Sequence, residues 1–386
     1  MKKFLYVTSI SLEKEKNTGN KIHFVEIGKA LKNLGNEVSL IAPYYSDSGS
    51  REDYGLVDLQ IPLKKKNFWN YWRFHSILSK RITGILQEQK PDFVYVRDLL
   101  NTKRIKAACG VLGIPVIGEI NELISETSIS PAVAQWFFSR KQNETIIHSD
   151  FLRVMIPKTK EKILHRFKKK KPNTIFVIPH GTNPDLFFDR GKGNSRTNLG
   201  FKHDEFLFLF VGTLNFSPYF NGLGSFLEAF SSFQQKVPNT RFFLLGDGKF
   251  RKPLEEKAKS LGIEEKVHFM GYRKNEEVPN WISAADICLQ VWVSEDKNQQ
   301  GLSLKLSSYL ACERRILLTD MHSFREITEP FDPLLWNPQA KGDMERCLWK
   351  AWQEKDSWNK GKAQREFVKK NMTWEISAKK IVEILG

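Results

Sequence analysis

Short apolar runs alternate with stretches of helical period along this chain, and the alternation occurs twice. In the first half, residues 4–9, 38–42, 93–96, 116–118 and 175–178 read as buried strands. Helices over 21–34 and 102–112 lie between them, stopped by Gly35 and Gly113. Strands at 206–211, 241–245, 267–270, 287–290 and 316–319 repeat the rhythm, with helices at 222–233, 253–261, 276–284 and 304–313. Continuous apolar strands separated by amphipathic helices build parallel sheets covered on both faces, so the expected class is α/β with two doubly wound domains. The expected division is 1–180 and 181–365, with the Gly-, Asn- and Pro-rich stretch 179–200 as linker. The remainder, 366–386, holds an amphipathic helix at 374–385 that returns to the first domain. Ligands of such folds bind at the carboxyl ends of the strands, here in a central cleft that the two domains face.

Charge is unevenly spread over that frame. The 386 residues carry a formal net charge of +16. Residues 1–180 contribute 30 basic and 17 acidic side chains, and 181–386 contribute 30 and 27. The excess belongs to the first domain and calls for an anionic partner of that domain. No apolar run is long enough to span a bilayer. Four scattered cysteines, Cys109, Cys288, Cys312 and Cys347, form no C-x-x-C and no metal-like cluster, as expected of a reduced, cytoplasmic protein.

Motifs in the second half identify a family. R-F-F-L-L-G-D-G-K from Arg241, L-E-E-K-A-K-S-L-G-I-E-E-K-V-H-F-M-G-Y from Leu254 and W-I-S-A-A-D-I from Trp281 resemble the retaining group 1 glycosyltransferases of the GT-B fold in order, spacing and residue type. F-L-F-V-G-T-L at 208–214, I-P-H-G-T-N-P-D-L-F at 178–187 and S-L-K-L-S-S-Y-L-A-C at 303–312 extend the likeness. In the first half, K-P-D-F-V-Y-V-R-D at 90–98 and P-V-I-G-E-I-N-E-L at 115–123 carry it across the chain. The resemblance implies two Rossmann-like domains and transfer of a sugar, with retention, from a nucleotide-sugar donor to a saccharide or lipid-linked acceptor. No cofactor is implied beyond the nucleotide-diphosphate sugar, which is substrate.

Particular residues inherit roles from this likeness. Gly212 and Thr213 end a strand where the family contacts the donor diphosphate. Ser303 reads as an N-cap with Leu304 and Lys305 in the first turn behind it, so free N–H groups and a cation converge on one spot suited to a diphosphate. Gly19 is either a donor contact or a plain turn glycine. Tyr272 falls where the family meets the nucleotide base, or is ordinary packing. Glu119 and Asn121 match a Glu-x-Asn that faces acceptor and sugar. With Arg97 they form the expected acceptor side, Glu119 and Lys305 being the candidate catalytic residues. The other reading of Glu119 is a structural ion pair with Arg97, and that reading is preferred for Asp98.

Several positions depart from the family pattern. Ser308 stands where a Glu usually holds the ribose, and Gln300 where another Glu is common, with Glu295 and Asp296 nearby. Glu313, Arg314 and Arg315 replace Gly-Lys/Arg-Pro, and Asn221 takes a basic position, which leaves Lys305 almost alone at the diphosphate. There is no D-x-D triplet of the kind that bridges a donor through a metal. These departures support a second reading, a degenerate relative serving as a binding or partner subunit.

Residues 62–86 interleave Lys64, Lys65, Lys66, Arg73, Lys80 and Arg81 with Phe68, Trp69, Tyr71, Trp72 and Phe74, without an acidic residue. Cations beside aromatic rings suit an anionic membrane surface, contacted through Lys64, Lys65, Lys66, Trp69 and Trp72, for a peripheral protein on the inner face. The competing reading is a core-packing helix with a solvated basic side. Residues 168–171 add four lysines. No nucleic-acid-binding module is recognisable, so nucleic acid is not an expected partner.

Overall fold

The structure is a computed structural model describing residues 1–10, 19–45, 59–63, 68–97, 101–126, 132–293 and 303–384. The chain divides into two compact units: Met1–Gly181 joined by Trp374–Gly386, and Thr182–Thr373.

The first unit runs β1 (Lys3–Thr8), α1 (Gly19–Asn33), β2 (Glu37–Tyr45), β3 (Leu59–Leu63), α2 (Phe68–Gln89), β4 (Phe93–Arg97), α3 (Thr102–Val111), β5 (Val116–Ile120), α4 (Ala132–His148), β6 (Phe151–Val154), α5 (Pro157–Arg166) and β7 (Ile175–Val177). Its seven strands are parallel, in the order β3-β2-β1-β4-β5-β6-β7. Leu5, Val7, Val94 and Val96 point to one face and meet Phe74, Leu78, Ile82 and Leu86 of α2 and Ile105 of α3. The period-2 alternation of strand side chains sends Tyr6, Tyr95, Arg97 and Glu119 to the other face. The register sets Arg97 beside Glu119 and Glu119 beside Arg153, a charged row across three strands at their carboxyl ends.

The second unit runs α6 (Lys192–Leu199), β8 (Phe206–Val211), α7 (Ser217–Lys236), β9 (Thr240–Leu245), α8 (Arg251–Ser260), β10 (Val267–Gly271), α9 (Val278–Ala284), β11 (Ile287–Gln290), α10 (Leu304–Ala311), β12 (Arg315–Thr319), α11 (His322–Thr328), β13 (Leu334–Trp336), α12 (Asp343–Gln353) and α13 (Gly361–Asn371). Six parallel strands lie in the order β10-β9-β8-β11-β12-β13. A phenylalanine-rich core fills the space under α7, with Phe206, Phe208, Phe210, Phe226, Phe230 and Phe242 all buried. Truncating any of these rings to Ala should cost about 3–5 kcal/mol. Helix α7 lies close to the sheet at Gly222, where a Cβ would come within 2.9 Å of the Val291 carbonyl carbon.

Two expectations are corrected here. The stretch 179–200 is not a linker throughout, because Thr182 already belongs to the second unit and α6 lies within it. Helix α6 has almost no apolar face. It is anchored by buried Arg196, whose Nη2 donates to Asp286 at 2.6 Å, and is closed by Gly200 in the left-handed conformation. Nor does the returning segment begin at 366: α13 stays in the second unit, where the Thr182 N–H donates to the Met372 carbonyl at 2.8 Å. The chain re-enters the first unit at α14 (Trp374–Glu383), which packs along α1.

Candidate functional site

At the carboxyl edge of the first sheet, Glu119 is the centre of a closed network. Its side chain is inaccessible to solvent, and Arg97 Nη1 donates to it in a short contact. Tyr95 Oη donates at 2.5 Å and Arg153 Nη1 at 3.2 Å, while His23 Nε2 lies 3.0 Å away. Asn121 completes the set with Nδ2 toward Glu119 at 3.0 Å and Oδ1 toward Arg97 Nη2 at 2.9 Å. Arg153 spends its other donors on the carbonyls of Ile178, at 3.1 Å, and Pro179, at 3.0 Å. Arg97 Nη2 also donates to Asn20 Oδ1 at 2.9 Å.

Burial would raise the Glu119 carboxyl, but Arg97, His23 and Arg153 together hold it well below the usual carboxylate range. Burial, reinforced by Arg97, holds His23 down to about 3, and burial with His23 beside it keeps His180 far below its ordinary value. Both rings are therefore neutral, with their Nδ1 atoms 2.9 Å apart, and the Trp374 ring packs edge-on against His23. The expected acceptor trio of Glu119, Asn121 and Arg97 thus turns inward on itself. Glu119 binds two arginines that tie the linker segment and three strands together, so its carboxylate is not presented for sugar hydroxyls. The ion-pair reading of Glu119 is the one the geometry fits.

The carboxyl edge of the second sheet is arranged differently. Lys305, in the first turn of α10, runs back toward β8, where its Nζ sits 3.7 Å from the centre of the Tyr219 ring and 4.1 Å from that of Phe210. The residue is half-buried overall, but its Nζ is fully enclosed and has no hydrogen-bond partner among the described residues. Two ring faces supply cation–π attraction and no counter-charge. Burial alone then pulls the Lys305 pKa well down from its ordinary value. A Cβ on Gly212 would fall 2.7 Å from this Nζ, so only glycine leaves the amine its place. At Gly246, φ is +135° and a Cβ would strike the Gly212 carbonyl oxygen at 1.9 Å, so the ends of β8 and β9 also require glycine to lie this close.

Neighbouring residues complete this edge. Ser303 is in the N-cap position with extended backbone, but its side chain makes no capping bond, so the first-turn N–H groups of α10 lack that partner. The Leu304 carbonyl accepts from Ser307 Oγ at 2.9 Å and from Ser308 Oγ at 3.3 Å, which turns the Ser308 hydroxyl onto its own helix. Tyr309 Oη accepts from the Val211 N–H at 2.9 Å and donates to the Leu289 carbonyl at 3.4 Å, pinning α10 to β8 and β11. Thr213 Oγ1 and Tyr272 Oη both donate to the Asp247 carbonyl, at 3.4 and 3.2 Å, and the Tyr272 ring is 47% exposed.

Gly19 is the first residue of α1 and is exposed, which places it at the helix start rather than in the loop before it. Trp69 and Trp72 lie in the exposed first turns of α2, whose Phe74, Leu78 and Ile82 are core. Lys64, Lys65, Lys66, Asp98, Glu295, Asp296 and Gln300 lie outside the described residues. Sequence reasoning missed Phe210, Tyr219 and Tyr309, the aromatic residues that hold Lys305 and its helix. Phe210 and Tyr309 were hinted at by their place inside the F-L-F-V-G and S-Y-L-A stretches, whereas Tyr219 lies in no motif. Among the described residues, no group of three His, Cys, Asp or Glu is arranged to hold a metal, and no helix is long and apolar enough to cross a membrane.

Comparison with known proteins agrees with this fold. Residues 205–350 match the family model for glycosyl transferases group 1. Over 297 residues, 72% of this chain and 71% of the relative, the sequence is 23% identical to an alpha-monoglucosyldiacylglycerol synthase of Acholeplasma laidlawii. Anabaena HepE, solved with UDP and glucose, superposes with a TM-score of 0.76 at 13% identity, covering 100% of this chain and 99% of that one. WaaG, a glycosyltransferase involved in lipopolysaccharide biosynthesis, does so at 0.70 and 17% identity, with 99% of each chain covered. The two parallel-sheet Rossmann-like units thus have the GT-B fold of these neighbours, and residues 205–350 are similar to a group 1 glycosyltransferase domain.

Proposed function

We propose that the chain transfers a sugar, with retention of configuration and without a metal, from a nucleoside-diphosphate donor to a saccharide or lipid-linked acceptor of the cell surface. Transfer would take place on the cytoplasmic side, at the inner membrane face. The observation that carries this reading is the enclosed Lys305 Nζ, unpaired among the described residues, beside Gly212 and the first turn of α10. Burying an amine with no anion is costly unless a ligand supplies one, and a diphosphate does. As the glycosidic bond breaks, the departing diphosphate gains charge that Lys305 and the α10 N–H groups stabilise. That diphosphate also accepts the proton of the attacking hydroxyl, through an oxocarbenium-like transition state. The donor itself is the only small molecule required, with no resident cofactor. HepE's complex with UDP supports a uridine donor, and the lipid and lipopolysaccharide relatives support an acceptor of those classes.

Calorimetric titration with UDP, GDP and their sugars, followed by mass analysis of products, tests the proposal. A nucleotide should bind, and Lys305→Ala should lower kcat/KM by about 10²–10³. Absence of binding by every nucleotide would overturn it. One observation favours the alternative of a degenerate binding subunit: the Ser308 hydroxyl is turned onto the Leu304 carbonyl, so Ser308 itself offers a ribose no contact. Nucleotide binding without any product would select that alternative.

A further inference from the structure

The first unit carries an apolar surface that neither its core nor its charge network uses. Each helix that follows a parallel strand starts at the carboxyl edge of the sheet, so the first turns of α2 and α4 emerge at the edge that holds Arg97 and Glu119. Right-handed crossovers put α2, α3, α4 and α5 on one side of that sheet. There Trp69 is 78% exposed, Val133 75%, Trp136 62% and Trp72 38%. The Trp72 ring meets Phe137 at 5.4 Å, joining the two helix starts into one patch. A contiguous apolar patch of this kind on a soluble surface marks an interaction site.

Its surroundings indicate the partner. Helices α2 to α5 contain twelve Lys and Arg against three Glu. Two of those glutamates are already paired, Glu144 with Lys141 and Glu161 with Lys158. Arg140 lies over the Trp136 ring at 5.7 Å, a cation held against an indole. Indole rings settle at the headgroup level of a bilayer, and each nearby cation adds about 1 kcal/mol at an anionic surface. A second copy of the chain would bring the same positive charge against itself.

We propose that this edge of the first unit docks on an anionic lipid bilayer, with Trp69, Trp72, Val133 and Trp136 entering the headgroup layer and the exposed cations toward the helix starts, Arg73, Lys103, Arg104 and Arg140, above lipid phosphates. The proposal extends the inner-membrane-face reading above by naming the surface and by adding α4 to it. It needs no nucleotide, so its failure and that of the transferase reading can be told apart.

The full chain is sedimented with vesicles of phosphatidylcholine alone and of phosphatidylcholine with one-third phosphatidylglycerol, at low and high salt. Binding should be at least tenfold tighter to the anionic vesicles and weaken with salt. A double Val133→Ser, Trp136→Ser variant, changed only at exposed positions, should bind at least tenfold more weakly while its melting temperature and UDP affinity stay unchanged. Equal binding to both vesicle types, or none to the anionic ones, would overturn the proposal. So would a double variant that binds like the parent, since that is generic attraction to polyanions without insertion.

Discussion

At the carboxyl edge of the seven-stranded sheet, Arg97 and Arg153 share Glu119, whose carboxylate also meets Tyr95 and Asn121. At the same edge of the six-stranded sheet, the Lys305 Nζ has two aromatic rings and, among the described residues, no anion. A buried charge that is fully partnered organises structure, because its interactions are complete before any ligand arrives. One left without a counter-charge holds free energy in reserve for a ligand that brings it. Substitution should separate the two cases sharply. Glu119→Gln strands two buried guanidinium groups and should cost about 3–5 kcal/mol. Lys305→Met removes an uncompensated buried amine of similar length, so stability should hold or rise by about 1–3 kcal/mol while nucleotide binding is lost. Urea unfolding of both variants checks the contrast, and equal losses would erase it.

Acid tests the same contrast with a smaller effect. His23 is held down to about 3 and His75 to about 4 by burial, and His180 is held well below its ordinary value, all in the first unit. In the second unit His268 is likewise held down to about 4, by burial and then by Arg241. A histidine whose folded pKa is depressed binds its proton in the unfolded chain first. Stability is therefore complete above about pH 6.5 and falls as pH drops toward the folded value, by about 1.4 kcal/mol per unit for each such ring. Glu119 stays ionised through this window, since its own pKa is depressed. The first unit, where burial also lowers His148, holds four such rings against one and should loosen first. Hydrogen exchange at pH 7 and pH 5 should show faster opening of β1 and β4 than of β8 and β9, with His23→Gln reducing the difference. Equal acceleration in both sheets would contradict this assignment.

How much of this was legible follows from where each signal lies. The strands could be read because parallel strands buried on both faces, such as Phe206–Val211, are unbroken apolar runs. Helix α6 could not, because Lys192–Leu199 has almost no apolar stripe and is held by ion pairs from Lys192 and Arg196 to Asp286, about 90 positions away. Helix α4 escaped because Trp136, Phe137 and Phe138 are consecutive and so favour no single face. At the sites, Glu119 and Lys305 were both visible as charges at element ends, but their opposite characters depend on distant partners. Arg153 and His23 reach Glu119 from β6 and α1, and Tyr219 reaches Lys305 from α7. The motif showed where a charge stands and left open what faces it.

The smallest expected effect concerns the other departure on α10. Ser308 lies one turn past Lys305, half-buried, with its hydroxyl on the Leu304 carbonyl. Replacing it by Glu releases that bond and projects a carboxylate that can accept from both ribose hydroxyls, and hydrogen bonds to a charged acceptor are worth about 1.5–3 kcal/mol each. The gain is opposed from within the helix, since residues three apart are neighbours and the new carboxylate also faces Lys305. Lys305 is drawn away toward β8, where its Nζ lies between Phe210 and Tyr219, so the ribose should win by a modest margin. Ser308→Glu should therefore tighten UDP binding several-fold, and the neutral Ser308→Gln should gain less. Weaker binding by the Glu variant alone would mean that the carboxylate had neutralised Lys305, which would still locate the diphosphate at that amine. Unchanged binding by both variants would remove the ribose from the neighbourhood of α10.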